Sequence, residues 1–270
     1  MGVRPIYHAL QLGLRKSFSR GLQFQAAYTW SKSIDNSTET NNGSPFIGPW
    51  WDLKNLRGVS DFNVPRLLVL SGYWQLPGAR SPSKALNWVV GGWQVGGILT
   101  ASDGTPFTAE FGSDPLGTNG EFFDDPPDRL IGSGCSTLTS PGNASSFIKT
   151  QCFGLPVAPS QTFYSQYCSS AFSAPTCINL LGNGGRNILR GPSLTNFDLS
   201  LFKNIRIPAA GERFSMQFRA EMFNVFNHTN FQAPSGQIFD ANGALTNNGS
   251  QLTSTVTDSR QVQFGLKVRW

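Results

Sequence analysis

Four cysteines, Cys135, Cys152, Cys168 and Cys177, fall within one polar stretch rich in serine and proline. An even, clustered set without CxxC pairs or a neighbouring histidine suits two disulfides in an oxidising compartment, not a zinc centre. Three connectivities are open to it. Just ahead of the cysteines lie Asp114, Glu121, Asp124, Asp125 and Asp128. Such oxygen donors bind Ca2+, but the regular spacing of a calcium-binding loop is missing, so a solvated loop is the simpler reading of residues 114–128. Asp124 and Asp125 would act as hydrolase carboxylates only with a partner at a defined distance, and the sequence supplies none. His8 sits on the apolar side of one strand pattern and His228 at the end of another, so neither is placed as a general base. No Gly-x-Ser-x-Gly elbow is present. We expect no enzyme activity and no cofactor, with a Ca2+ site in the 114–128 loop left open.

The elements that would position these residues alternate with a period of two. The last one shows it best. Arg260, Val262, Phe264, Leu266, Val268 and Trp270 share one face, and Gln261, Gln263, Gly265, Lys267 and Arg269 share the other. A strand with an apolar side and a polar side running to a terminal aromatic is what a membrane barrel places between lipid and water. The same pattern recurs over Ile6–Arg15, Leu22–Ser31, Asn196–Ile207 and Glu212–Phe226, and less cleanly over Pro65–Leu76 and Trp88–Ala101. Within Pro65–Leu76 the run Leu67-Leu68-Val69-Leu70 leaves the two faces undistinguished. That makes about seven strands. Their connections alternate between short and long, with residues 33–60, 102–195 and 227–258 as the long ones. A loop the length of 102–195 argues against a compact soluble domain, and we expect it to carry local structure of its own, held by the cysteines. A barrel with short periplasmic turns and long extracellular loops accommodates it.

Composition agrees. Charged residues are only 14% and aromatics reach 12%, which is unlike an ordinary soluble domain. No apolar run approaches the ~18 residues of a membrane helix, so a membrane would have to be crossed by strands. A mean hydropathy of -0.21 is compatible with that, because lumen-facing and lipid-facing positions average out. The net charge of +5 is scattered, with no basic run, which excludes a nucleic-acid footprint.

We therefore expect an all-β fold, an antiparallel up-and-down transmembrane β-barrel segment, as a single partial barrel domain over residues 1–270. Its long cysteine-containing loop, about 102–195, would be extracellular. On this reading Asp198, Arg213, Arg219, Glu221, Lys267 and Arg269 face the lumen. Trp30, Trp74, Trp270, Tyr28 and Tyr73, and with less support the mid-strand Trp93, form interfacial girdles. Phe264, Leu266, Val268 and Trp270 form a C-terminal signal that barrel-assembly machinery reads by strand addition. Bacterial barrels have even strand numbers, so an odd count suggests that earlier strands belong to the same barrel. Met1–Pro5 does not read as a signal peptide, so we expect either a misplaced start or a signal further upstream.

Three stretches carry a resemblance: Tyr28-Thr29-Trp30-Ser31-Lys32-Ser33; Arg186-Asn187-Ile188-Leu189-Arg190-Gly191-Pro192 with Asn196-Phe197-Asp198-Leu199-Ser200; and Phe218-Arg219-Ala220-Glu221-Met222-Phe223-Asn224-Val225-Phe226-Asn227-His228 with Asn230-Phe231. Together they resemble the C-terminal barrel strands of TonB-dependent receptors, closest to the Oar-like group abundant in Acidobacteria. The resemblance spans most of the chain outside 102–180. It implies the C-terminal part of a barrel of roughly 22 strands with an internal plug, in the outer membrane of a Gram-negative-type bacterium, energised through TonB. The implied partners are outer-membrane lipid, the assembly machinery, the plug and N-terminal strands of the full receptor, and a nutrient ligand such as an oligosaccharide. The chain departs from the pattern in showing no plug and no energy-coupling box. The rival readings are a secreted β-sandwich binding or adhesion module with disulfide-stapled loops, soluble because its apolar face packs on a second sheet, and, more weakly, an extracellular hydrolase.

Overall fold

In the computed structural model, residues 5–36, 40–41, 44–45, 57–77, 84–112, 126–168, 176, 180, 182–206, 215–240, 242–246 and 248–269 are described. These residues form seven long strands: β1 (Ile6–Ser19), β2 (Leu22–Asp35), β3 (Arg66–Gln75), β4 (Trp93–Ser102), β5 (Leu194–Arg206), β6 (Ser215–Phe223) and β7 (Gln261–Arg269). They pair in chain order, every neighbour antiparallel, as one meander. No ladder among the described residues joins β1 to β7, so both are edge strands. Up-and-down topology follows from the alternation of sequence period and connection length, as the strand pattern implies.

Register carries each face across the whole sheet. Leu14, Ala26, Leu70, Leu99 and Phe197 lie in one row. Leu22, Trp74, Val95, Leu201, Ala220 and Phe264 lie in another. The opposite face places Gln25, Ser71, Ile98 and Asp198 in register, and Gln23, Tyr73, Gly96, Ser200, Glu221 and Gln263 in register. The ambiguous run of β3 resolves by alternation. Leu68 and Leu70 join the apolar face, and Leu67 and Val69 stand half-buried on the other.

Among the described residues, nothing covers the apolar face. Leu12 is 56% exposed, Trp30 59%, Phe264 72% and Leu266 62%. The sheet holds almost none of the buried core, which lies instead in the long connections: Ala109, Phe111, Cys135, Leu138, Phe147, Ile148, Cys152, Phe153, Leu189, Ile238 and Phe239. A sandwich would bury the sheet's apolar side against a second sheet. Among the described residues none does so. Eight residues separate the Trp30 level from the Trp74 level on β3, since Trp30 pairs with Arg66 and Leu22 with Trp74. That is about 27 Å along a strand and roughly 20 Å across a bilayer at barrel tilt, close to the ~25 Å apolar band of such barrels.

Two sequence expectations need correction. The fourth strand does not begin at Trp88. Residues Lys84–Val90 form a helix, α1, and the strand starts at Trp93. Gly91-Gly92 separates them, and Gly92 has φ +76, where a Cβ would meet the Asn204 carbonyl oxygen at 2.5 Å. Trp93 is thus a strand-end residue, not a mid-strand one. The sixth strand ends at Phe223, because Asn224 (φ 49) and Asn227 (φ 51) turn the chain out of the sheet.

Lys203, on the apolar face, stands out by its burial. It lies in register with Trp93 and Phe218, yet is only 6% exposed. Its Nζ donates to the carbonyls of Trp88 (2.7 Å), Val89 (2.9 Å) and Gly91. The ammonium thus satisfies backbone acceptors that the end of α1 leaves without helical partners. It also lies 5.1 Å from the Trp93 ring centroid. Trp93 Nε1 in turn donates to the Val89 carbonyl at 2.9 Å.

The face assignment makes a direct prediction. Leu266→Arg puts a guanidinium into the apolar row of β7 and should cost about 2–4 kcal/mol if the position sits near the midplane. Lys267→Ala, on the opposite face, should be tolerated. Urea unfolding of the protein in detergent or vesicles measures both, and equal tolerance of the two would reverse the faces.

Candidate functional site

At the end of the sheet that carries the long connections, the chain builds a folded cap on the strand ends. Short ladders inside the cap pair Asp128–Arg129 with Phe153–Gly154, and Leu189–Arg190 with Pro106–Phe107. A further, parallel pair joins Gln237–Phe239 to Glu110–Phe111, so the connection after β6 is knitted into the one after β4. A disulfide links Cys135 to Cys152. Cys168, next to the short helix α2 (Gln161–Tyr167), is also disulfide-bonded, and Cys177 lies outside the described residues. The described residues of 102–195 therefore form a packed body, as the cysteines led us to expect, and it shares its core with Ile238 and Phe239 from the connection after β6.

Arg186 and Asn187 fasten this body to the barrel rim. The Arg186 guanidinium pairs with the Asp35 carboxylate at the tip of β2, donates to the Asp35 carbonyl at 3.1 Å, and reaches Asp61 at 3.1 Å. The side chains of Arg186 and Asp35 are 12% and 4% exposed. Asn187 Nδ2 donates to the Val59 carbonyl at 2.6 Å and to the Asp61 carboxylate. The Asn187 backbone N–H donates to Thr108 Oγ1 at 3.1 Å. Gly58 permits this contact, since a Cβ there would lie 2.6 Å from the Arg186 carbonyl oxygen. Beneath it, the Ser33 N–H donates to Asn63 Oδ1 at 2.7 Å, and Ser60 Oγ donates to Ser33 Oγ at 2.8 Å.

Asparagines perform the same service for the connection after β6. Asn224 Nδ2 donates to the carbonyls of His228 and Asp258, each at 3.0 Å, while Asn224 Oδ1 accepts from the His228 N–H at 2.9 Å. Asn227 Oδ1 accepts from the Arg260 N–H at 2.9 Å, just before β7. The Asn230 side chain bonds both backbone groups of Thr195, at 2.8 and 3.0 Å, as a neighbouring strand would. His228 Nδ1 lies 3.0 Å from Asn230 Oδ1, which makes it a member of the turn.

The polar face below the cap is lined by side chains bonded to one another. Arg219 Nε donates to Gln217 Oε1, and Gln217 Nε2 donates to Asn204 Oδ1, both at 2.8 Å. The Arg219 guanidinium lies 5.5 Å from the Phe202 ring centroid. Gln263 Nε2 donates to Glu221 Oε2 at 2.7 Å. Lys267 and Arg269 lie on this face opposite Gln217 and Ser215. Asp198 shares the face but accepts from the Asn224 N–H at 2.9 Å and from Asn196 Nδ2, also at 2.9 Å, so it braces the turn. Arg213 and Trp270 lie outside the described residues, as do Asp114, Glu121, Asp124 and Asp125. Asp128 accepts from the Asn183 N–H at 2.8 Å within the cap.

Near the disulfide the cap carries an open cleft of about 480 Å3, lined by Arg129, Leu130, Ile131, Cys135, Ser136 and Asn183. Ile131 is 99% exposed there. No three His, Cys, Asp or Glu side chains converge on a metal-sized point among the described residues. At the cap's edge, hydrogen bonds from Arg66 hold the Asp103 carboxyl below the usual carboxylate range. That tie contributes fully above the ordinary carboxylate pKa and weakens as pH falls through the depressed value. The Arg186 and Lys203 networks are the parts the sequence pattern did not expose. A basic residue inside the run Leu199, Leu201, Lys203, Ile205 was the available signal for the second.

Removing Arg186 takes one partner from a buried ion pair with Asp35, a change that typically costs about 3–5 kcal/mol. Arg186→Met should therefore release the cap, read as protease sensitivity of the 102–195 segment on intact cells. Strand-region circular dichroism should stay near wild type. Asp35→Asn combined with Arg186→Met should recover much of the loss, because the buried carboxylate charge is then removed together with its cation.

An open sheet with one unclad apolar face, a self-bonded polar face, and all its packing in a cap at one end is built for a bilayer. No curated protein and no solved structure matches the chain. The family model for an outer membrane beta barrel domain matches residues 2–263, and the chain belongs to that family and to the outer membrane.

Proposed function

We propose that the chain is barrel wall and extracellular cap of a TonB-dependent receptor, Oar-like in type, that binds a nutrient outside the cell and takes it up. It performs no catalysis of its own in this reading. The observation that carries it is the pair of open edges. Unpaired strand backbone is not tolerated in lipid, so β1 and β7 need partner strands, which this reading takes from the rest of the same barrel. A barrel of roughly 22 strands, the size of plugged outer-membrane transporters, would supply them. Lys267 and Arg269, with the Arg219 and Glu221 networks, would then line the passage against a plug. The cap cleft at Arg129–Ile131 would meet the ligand, for which an oligosaccharide fits the mixed polar and apolar lining. The assembly machinery would read β7, whose apolar row Phe264, Leu266 and Val268 stands exposed.

The test is cross-linking in the source cells, followed by capture with antibody against the cap. Recovery of TonB together with an outer-membrane band well above 29.4 kDa is the expected result. An outer-membrane band near 29.4 kDa without TonB would mean a small passive barrel instead.

A further inference from the structure

The apolar face carries few cations, and most of them are spent on the protein itself. Lys203 is consumed by the carbonyls at the end of α1. Lys16 donates to Ser19 Oγ at 2.8 Å. Both lie toward the short-turn end of their strands. At the opposite, cap end, His8 and Lys32 face each other directly across the β1–β2 ladder. Neither makes an ion pair or side-chain hydrogen bond among the described residues, and both are exposed. One step below them, Leu10, Trp30 and Arg66 form the next row of the same face. A groove of about 480 Å3 runs past this corner, lined by His8, Leu10, Trp30, Lys32, Pro65 and Arg190. Arg190 uses Nη1 on the Gly104 carbonyl at 2.9 Å, and Arg66 is held by Asp103 at 2.8 Å. Lys32 and His8 are the two whose side chains make no bond of their own among the described residues, while both arginines are already anchored to the cap.

Position fixes the chemistry of what would bind there. Leu10 is 49%, Leu12 56%, Leu14 61% and Trp30 59% exposed, a continuous strip below Lys32 and His8 that only acyl chains would cover. Trp30 marks the level of the headgroups. Lys32 and the His8 imidazole stand just above it, at the extracellular side, where a headgroup presents its phosphates. We propose that His8, Lys32 and the Trp30 groove form a binding site for a phosphorylated glycolipid of the outer leaflet, with phosphate on Lys32 and His8 and an acyl chain along Leu10, Leu12 and Leu14. The occupant is a lipid rather than a free phosphate, because Lys32, His8 and the apolar strip belong to one face. The site depends only on membrane placement, not on the transport reading above.

The test uses the full protein extracted in mild detergent and placed in nanodiscs, with native mass spectrometry as readout. The probes are diphosphorylated lipid A, its dephosphorylated form, and phosphatidylethanolamine. Wild type should retain the diphosphorylated form preferentially. Lys32→Glu should reduce that retention at least fivefold, the scale expected for one basic residue at an anionic membrane surface. Lys32→Arg should restore it, and Lys16→Glu, near the other end of β1, should leave it unchanged. Heat-modifiable gel mobility confirms that each variant is folded, and wild-type discrimination between the phosphorylated and dephosphorylated forms tests the site without any variant. Equal retention of the two forms by wild type, or a folded Lys32→Glu protein with undiminished retention, would overturn the proposal. Loss by Lys16→Glu to the same extent would also overturn it, since it would place the effect in general charge.

Discussion

The rest of this structure depends on one unmet need: among the described residues, the apolar face of the sheet has no protein to pack on. In water that face would be a severe liability, and soluble monomers rarely expose apolar patches beyond a few hundred Å2. In a bilayer it costs nothing, because lipid tails solvate it as well as another sheet would. The requirement that replaces packing is hydrogen bonding, since backbone groups at membrane depth must pair with one another. The unbroken antiparallel meander from β1 to β7 answers that for all but its two outer edges.

Freed from supplying a core, the sheet can spend its other face on polar side chains. The hydrophobic core moves into the cap, where water is present and burial is favourable. Phe111 stacks on Phe239 at 5.2 Å, drawing together segments that leave the sheet after different strands. Charged and amide side chains then do the joining at the rim. Asp35, Asp61 and Asp198 receive donors from Arg186, Asn187 and the Asn224 backbone. The lipid-facing and lumen-facing surfaces thus stay simple while the specificity of the fold is concentrated at one level.

The strands were legible in the sequence because lipid on one side and water on the other impose a period of two that no other interaction disturbs. Where that contrast fails, so did the reading. The run Leu67–Leu70 hid its faces because Leu67 and Val69 are apolar on the lumen side. Trp88 and Val89 read as strand because α1, too, exposes apolar side chains, at 56% each. The cap was illegible in a different way. Its ladders are two or three residues long, and its contacts join residues more than a hundred positions apart, as Arg186 joins Asp61. The motifs Arg186-Asn187 and Asn224 to Asn230 were visible as patterns, but their roles needed the partners. Each is a tie between a strand end and the chain that leaves it.

The parallel pairing of Gln237–Phe239 with Glu110–Phe111 has a consequence for the order in which the chain can mature. The cap's first segment is complete at Phe111, yet its sheet partner arrives more than a hundred residues later, after β5 and β6 have been made. The Ile238 and Phe239 side chains, both within the cap's core, come with that late segment. The outer body therefore cannot close on the first segment alone; it needs the chain that follows β6. Its closure ties the two ends of the β5–β6 excursion together, so the cap holds the strands between them as one closed loop of chain.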